Sequence, residues 1–267
     1  MAKLFDTEAR VVPTWLAASR FLRGSPNKTA LNVLLEISDP LTLTADDHAV
    51  MAKVNSALVV SGLTLNTVAG TIFPLALYKK YGRPGFYHEY LKMLQRGKAK
   101  GTWGTYAARM IQRPGSKPGT MIYPLDQLVE KLKTSNQPRN PNGSTKSFAS
   151  TYELGVADPA VDLAEGDIPT YNAANDCNRW LGYPCLSHVS FKRVPTHAGY
   201  AVNLTAVYRS HHYCSRALGN LLGLAQLLSF VAKESGLSVG TLSCLSSYAE
   251  LDVSTWGGAT AANIVLA

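Results

Sequence analysis

The sequence predicts an α/β fold: a mixed sheet flanked by helices, with one long helix buried against it. Three features carry this. Cys185–Phe191 and Tyr200–Tyr208 both alternate apolar and polar residues, the period of strands with one face in a core. From Ser215 to about Glu234, residues Leu218, Leu221, Leu222, Ala225, Leu228 and Val231 recur at helical spacing, and Leu224 and Leu227 widen that apolar face until most sides must be buried. Gly236 ends this helix, and Val239–Tyr248 returns as a strand, which makes a strand–helix–strand unit behind a hairpin.

Upstream, Pro13–Leu22 reads as a helix, Gly24–Lys28 as a loop and Ala30–Ile37 as a strand that ends before Pro40. Thr44 followed three residues later by Asp47 has the pattern of a capping box, opening a helix from Ala45 to about Val60. Asn55–Tyr78 carries no charge, yet Asn55, Ser56, Ser61, Gly62, Asn66, Gly70 and Pro74 break it too often for a membrane span of about 20 apolar residues. It reads as protein interior. Tyr87–Gln95 is a short helix, Asp126–Leu132 another begun near Pro124, and Lys133–Ser147 is a loop rich in Asn, Pro, Ser and Gly. The hairpin turn falls in the KRVPTHAG stretch, 192–199. Residues 1–84 are expected to form a helical and extended N-terminal extension packed on a core of 85–267.

Composition limits the function classes. With 46% apolar and 16% charged residues in 267, the chain can bury a full core and is not generally disordered. Four cysteines exclude a disulfide-dense secreted scaffold, and Met1–Arg10 shows no cationic start followed by an apolar run, so a soluble cytoplasmic protein is expected. The net charge of +8 is uneven: Lys79–Lys146 holds 14 Lys and Arg against three acids, and the remainder 12 against 15. A basic middle implies an anionic partner, although its charges are scattered through turn-rich sequence rather than gathered in a run.

Cys185, directly after Pro184 at a strand start, is a candidate nucleophile, because a thiol becomes reactive beside positive charge and Arg209 at the far end of the partner strand can supply it. His211, His212, His188 and Cys214 raise the question of zinc, but no C-x-x-C pair exists and adjacent histidines at a strand end point apart. A cysteine hydrolase built on Cys185, His188 or His212, and Asp176 is a separate alternative. The GTWGTY segment, 101–106, lacks the lysine of a phosphate-binding loop and precedes no clear helix.

In order, the chain carries Pro184-Cys185, Arg209-Ser210, Asn220 at 11 residues from the Arg, a long helix and Val239-Gly240, preceded by His88-Glu89-x-Leu-x-x-Leu-Gln and Trp103-Gly104-Thr-Tyr106-x-x-Arg109. This set resembles the thymidylate synthase and pyrimidine nucleotide (hydroxy)methyltransferase superfamily, roughly over 85–252 and most firmly over 183–240. The resemblance implies Cys185 as the nucleophile that adds to C6 of a pyrimidine and Glu89 as the catalytic carboxylate. It also implies Arg209 and Ser210 on the nucleotide phosphate and Asn220 on the uracil edge, with Trp103, Tyr106, Arg109 and His212 as further substrate-binding positions. It further implies 5,10-methylenetetrahydrofolate as donor, no metal, a pyrimidine nucleotide monophosphate as substrate and a homodimer packed sheet to sheet. Neither a membrane nor, by preference, a nucleic acid is a partner. The chemistry is coherent: an Asn amide offers one acceptor and one donor, matching N3–H and O4 of uracil.

The departures are specific. The His after the nucleophile is Leu186, the folate-contacting Asp is His212, and the His-x-Tyr pair for the sugar falls on Glu250 and Asp252. Only Arg179 and Lys146 stand near the place of the paired arginines, and the chain stops 17 residues past Glu250, without the family's closing tail. A catalytically diverged nucleotide- or nucleic-acid-binding relative of the same fold is therefore the alternative function.

Overall fold

The computed structural model describes residues 2–97, 105–115, 117–135, 152–156 and 184–267. The chain begins with β1 (Lys3–Phe5), α1 (Val11–Gly24) and β2 (Thr29–Ile37), followed by α2 (Ala45–Leu58), α3 (Leu65–Ile72), α4 (Leu75–Tyr81) and α5 (Gly85–Gly97). Next come α6 (Tyr106–Ile111), the short β3 (Arg113–Pro114) and β4 (Met121–Ile122), α7 (Pro124–Ser135) and β5 (Glu153–Gly155). The last part holds β6 (Leu186–Thr196), β7 (Gly199–Tyr208), β8 (His211–His212), α8 (Leu218–Ser235), β9 (Ser238–Glu250) and α9 (Ala259–Val265).

The main sheet is mixed, in the order β1-β2-β9-β7-β6-β5, with β8 beside the end of β9. β6 and β7 form the predicted antiparallel hairpin, and β7–α8–β9 is a parallel crossover. One sheet face is core: Leu204, Ala206, Tyr208, Leu242, Cys244 and Ser246 are all fully buried. α8 lies between this face and α3, and the helices approach so closely that a Cβ on Gly219 would stand 2.6 Å from Val68 Cβ, and one on Gly223 2.7 Å from the Ala69 carbonyl oxygen. Gly236 ends α8 in the left-handed conformation that glycine adopts without steric penalty (φ 71°). Although α8 and its preceding turn are apolar and long enough to cross a bilayer, 72% of that stretch is buried inside the protein.

The capping box at α2 forms as expected: Thr44 Oγ accepts from the Asp47 amide at 3.3 Å, and Asp47 Oδ2 accepts from the Thr44 amide at 2.9 Å. Four expectations need correction. The hairpin turn is only His197-Ala198, because β6 runs through Pro195, which pairs with Tyr200 beyond the reach of β5; there its absent N–H withdraws no bond from the outer neighbour. GTWGTY does precede a helix, since Thr105 caps α6 through the Ala108 amide at 3.2 Å. α7 continues to Ser135, three residues into the expected loop; 136–147 lie outside the described residues. Within Asn55–Tyr78, the turn at Val59 and Val60 is exposed (69% and 83%), and the burial lies mainly in α3.

The opposite sheet face carries half-buried or exposed side chains. Register places Leu4, Leu34, Leu245 and Val207 in one row across four strands. Their sequence neighbours on β2, β9 and β7 point into the core, so this row points away from it.

Candidate functional site

The ends of β6 and β7 build the site. Leu186 pairs with Tyr208, which sets Cys185 against Arg209: the Arg209 amide donates to the Cys185 carbonyl at 2.9 Å, and Arg209 Nε donates to the Pro184 carbonyl at 3.1 Å. Cys185 is half-buried, while Arg209 is exposed at the mouth. A bulge between Leu186 and His188 disturbs the ladder beside the cysteine, as bulges near functional positions do.

Tyr106, on α6, reaches the same place. Its hydroxyl faces the backbone at Leu186 and Cys185; burial, with the charge that Cys185 would carry, pushes its pKa up to about 12, although the backbone contacts and Arg216 oppose this. Its ring stands edge-on to Tyr208 at 6.5 Å. Tyr208 is fully buried, with a hydroxyl that has no hydrogen-bond partner among the described residues and a pKa pushed well up by that burial and by Tyr106, Cys244 and Cys185 nearby.

Behind Tyr208 lies His211, stacked on it with ring centroids 4.0 Å apart and planes 2° from parallel. His211 Nδ1 is 2.9 Å from Ser246 Oγ, and His211 Nε2 is 3.1 Å from Asn220 Nδ2. Burial, with a smaller contribution from His212, pushes the imidazole down to about 3, so it is neutral at working pH. Asn220 is 4% exposed, and the partner of its side chain is His211 rather than a helix-start amide. A run of contacts thus leads from the Cys185 backbone through Tyr106, Tyr208 and His211 to Asn220.

The other expected residues are placed differently. Arg109 is 8% exposed and donates to the Val156 carbonyl at 3.2 Å, while Arg113 Nε donates to the Arg109 carbonyl at 2.8 Å, so both help to hold the end of β5. Glu89 is half-buried on α5 and makes no hydrogen bond or ion pair with a described residue. Ser210 is half-buried between Arg209 and β8. The two adjacent histidines do point apart: His211 inward, and His212 outward with Nδ1 3.7 Å from a Glu250 carboxylate oxygen. Asp252 is engaged in structure, accepting from the Cys214 amide and the Thr255 hydroxyl, both at 2.8 Å. Trp103, Lys146, Asp176 and Arg179 lie outside the described residues.

His188 is bound to Glu153 at 2.7 Å, which gives Cys185 no base from that side. Among the described residues no group of three or more His, Cys, Asp or Glu could hold a metal ion. A cleft of about 700 Å³ opens elsewhere, between α3, α4 and α5, with Thr71, Leu75, Met93 and Gln226 in its walls; Cys185, Arg209 and Asn220 do not line it.

Sequence reasoning missed Tyr208, Ser246 and the role of His211. The available signal was the Tyr-Arg-Ser-His run, in which an aromatic and a histidine flank the arginine, but their stacking depends on how β8 leaves the sheet.

No protein-family description and no curated protein matches the chain. Among solved structures it is similar to thermostable thymidylate synthase A from Bacillus subtilis, at 12% identity and a TM-score of 0.42, over 83% of this chain. The chain spans 65% of the length of that protein.

Proposed function

We propose that the chain is a transferase that alkylates C5 of a uracil nucleotide through a covalent bond between Cys185 and C6. The observation that carries this reading is the strand pairing that seats Pro184-Cys185 beside Arg209, whose amide and Nε donate to the Cys185 and Pro184 carbonyls. A guanidinium at that place suits a phosphate. In the reaction, the Cys185 thiolate adds to C6, and the C5–C6 electron pair moves toward O4, leaving C5 nucleophilic. C5 then bonds to an electrophilic one-carbon unit. Loss of the C5 proton to a base, with departure of the group that carried the one-carbon unit, leaves an exocyclic methylene at C5 while Cys185 stays on C6. Water adds to that methylene to give a hydroxymethyl group, or a hydride donor to give a methyl group, and expulsion of Cys185 from C6 then restores the C5–C6 double bond. Asn220 reads N3–H and O4, and Glu89 relays protons at O4 and C5. Tyr106 steadies the Cys185 backbone.

The folate implied by the sequence resemblance is not matched by the described residues. Its carboxylate contact is replaced by His212, whose ring is turned to Glu250. No step is therefore assigned to it, and the donor is identified only as a one-carbon electrophile. The apolar row of Leu4, Leu34, Leu245 and Val207, half-buried or exposed on the face away from the core, supports a second part of the reading, a homodimer packed through this sheet face.

The test is tritium release to water from a [5-³H]uracil nucleotide, with formaldehyde or methylenetetrahydrofolate as donor. Release that Cys185→Ser abolishes is the expected result. Release that persists in Cys185→Ser, or no release with either donor, would overturn the reading.

A further inference from the structure

We propose that His211, held by Ser246, fixes which way the Asn220 amide faces and so makes the site choose uracil over cytosine. This rests on the reading that Asn220 reads the base edge. An amide nitrogen can only donate, so at 3.1 Å His211 Nε2 must accept from Asn220 Nδ2. The neutral ring then carries its proton on Nδ1, where it donates to Ser246 Oγ at 2.9 Å. Ser246 Oγ is also 3.4 Å from the Tyr213 hydroxyl, and Tyr208 is stacked flat on the imidazole, so the ring is held on its face and at both nitrogens.

With one Asn220 N–H engaged by His211, the amide presents Oδ1 and its second N–H. No described residue donates to Oδ1. That pair meets N3–H and O4 of uracil, whereas cytosine has an acceptor at N3 and a donor at N4 and needs the amide reversed. Reversal would oppose Oδ1 to the lone pair on Nε2 unless the ring proton moved to Nε2 and the Ser246 hydroxyl turned at the same time. His211 is 1% exposed and Ser246 0%, so these changes would occur away from solvent. Burial keeps His211 uncharged, as its lowered pKa requires, so a doubly protonated ring does not intervene. His211 acts through Asn220; it is a positioning residue.

The experiment measures dissociation constants for dUMP and dCMP on the whole chain, together with the His211 tautomer from ¹⁵N NMR. The wild type should bind dUMP more tightly and show Nδ1 protonated. His211→Phe keeps a ring on Tyr208 and removes both nitrogens; the dUMP preference should fall about tenfold or more, because Asn220 can then turn. Ser246→Ala, a milder change should His211→Phe not fold, should lower the preference partway and move the ring proton to Nε2. An equal loss of affinity for both nucleotides, with the preference unchanged, would overturn the proposal, as would Nε2 protonation in the wild type. If the wild type binds neither nucleotide, the base-reading role of Asn220 fails, while the tautomer still decides whether His211 holds the amide as described.

Discussion

Arg209 illustrates how one residue serves fold and chemistry together. Its amide and Nε bind the Cys185 and Pro184 carbonyls, and in the proposed reaction its guanidinium binds the nucleotide phosphate. Replacing it with Gln should weaken binding of a uracil nucleotide monophosphate by about 10- to 100-fold, the value of a hydrogen bond to a charged group. The uncharged nucleoside should bind as before, and calorimetry on both ligands separates the two effects. Equal losses would assign Arg209 to structure alone. The placement of Cys185 against Arg209 was legible in the sequence because both strands alternate and pair as a hairpin. The bond between His211 and Asn220 was not legible, since no local pattern reports how β8 lies against α8. Asp47 gives a prediction about pH. Burial alone would raise its pKa, but Arg10 at 2.8 Å and the two Thr44 bonds outweigh this and hold it below the usual value. A carboxyl depressed on folding contributes stability that is complete above its unfolded pKa of about 3.9 and is lost as pH falls through the folded value. Asp47→Asn should thus lower stability by about 1–2 kcal/mol near neutrality. In thermal melts, its deficit against wild type should shrink below about pH 4.

Among the elements, α8 and the hairpin were legible because periods of 3.6 and 2 persist over many residues. The two-residue turn was not, because Pro195 reads as a turn residue, whereas here it stands on a strand beyond the reach of β5, with no outer neighbour among the described residues needing its N–H. α6 was hidden by its brevity: six residues capped by a threonine that belongs visually to a glycine-rich run. The glycines of α8 are the clearest packing devices. Gly223→Ala would place its Cβ 2.7 Å from the Ala69 carbonyl oxygen and 3.0 Å from Ile72 Cβ, and both neighbours are on α3. The substitution should cost about 1–3 kcal/mol, measured by denaturant unfolding, despite alanine's higher helix propensity. A stabilised variant would show that α3 yields freely. Asn203 plays a similar part in the sheet: at the register shift between Val202 and Leu204, its Oδ1 accepts from the Thr241 amide at 3.0 Å and occupies the space that a Cβ on Gly240 would need.

At the scale of the whole molecule, part of the basic middle is absorbed by structure. Arg83 binds Asp126 at 2.7 Å and Glu130 at 2.8 Å, tying the α4–α5 turn to α7, while Arg109 and Arg113 clasp backbone carbonyls around β5. Such charges are engaged within the fold, and composition cannot distinguish them from surface charges. The sheet face turned away from the core makes the quaternary prediction. Leu245→Arg, at the centre of the apolar row, should convert a dimer into a folded monomer in analytical ultracentrifugation, because an interface core does not accept an uncompensated charge. An unchanged sedimentation coefficient would place any dimer contact elsewhere. The central claim, that Cys185 alone forms the covalent bond to the pyrimidine, is tested most directly by trapping with 5-fluoro-dUMP and the one-carbon donor, followed by peptide mass spectrometry. Trypsin isolates Cys185 in the 180–192 peptide, apart from Cys177, Cys214 and Cys244. The account predicts the nucleotide mass on that peptide and on no other; an unmodified 180–192 peptide, or an adduct on any other cysteine, would contradict it.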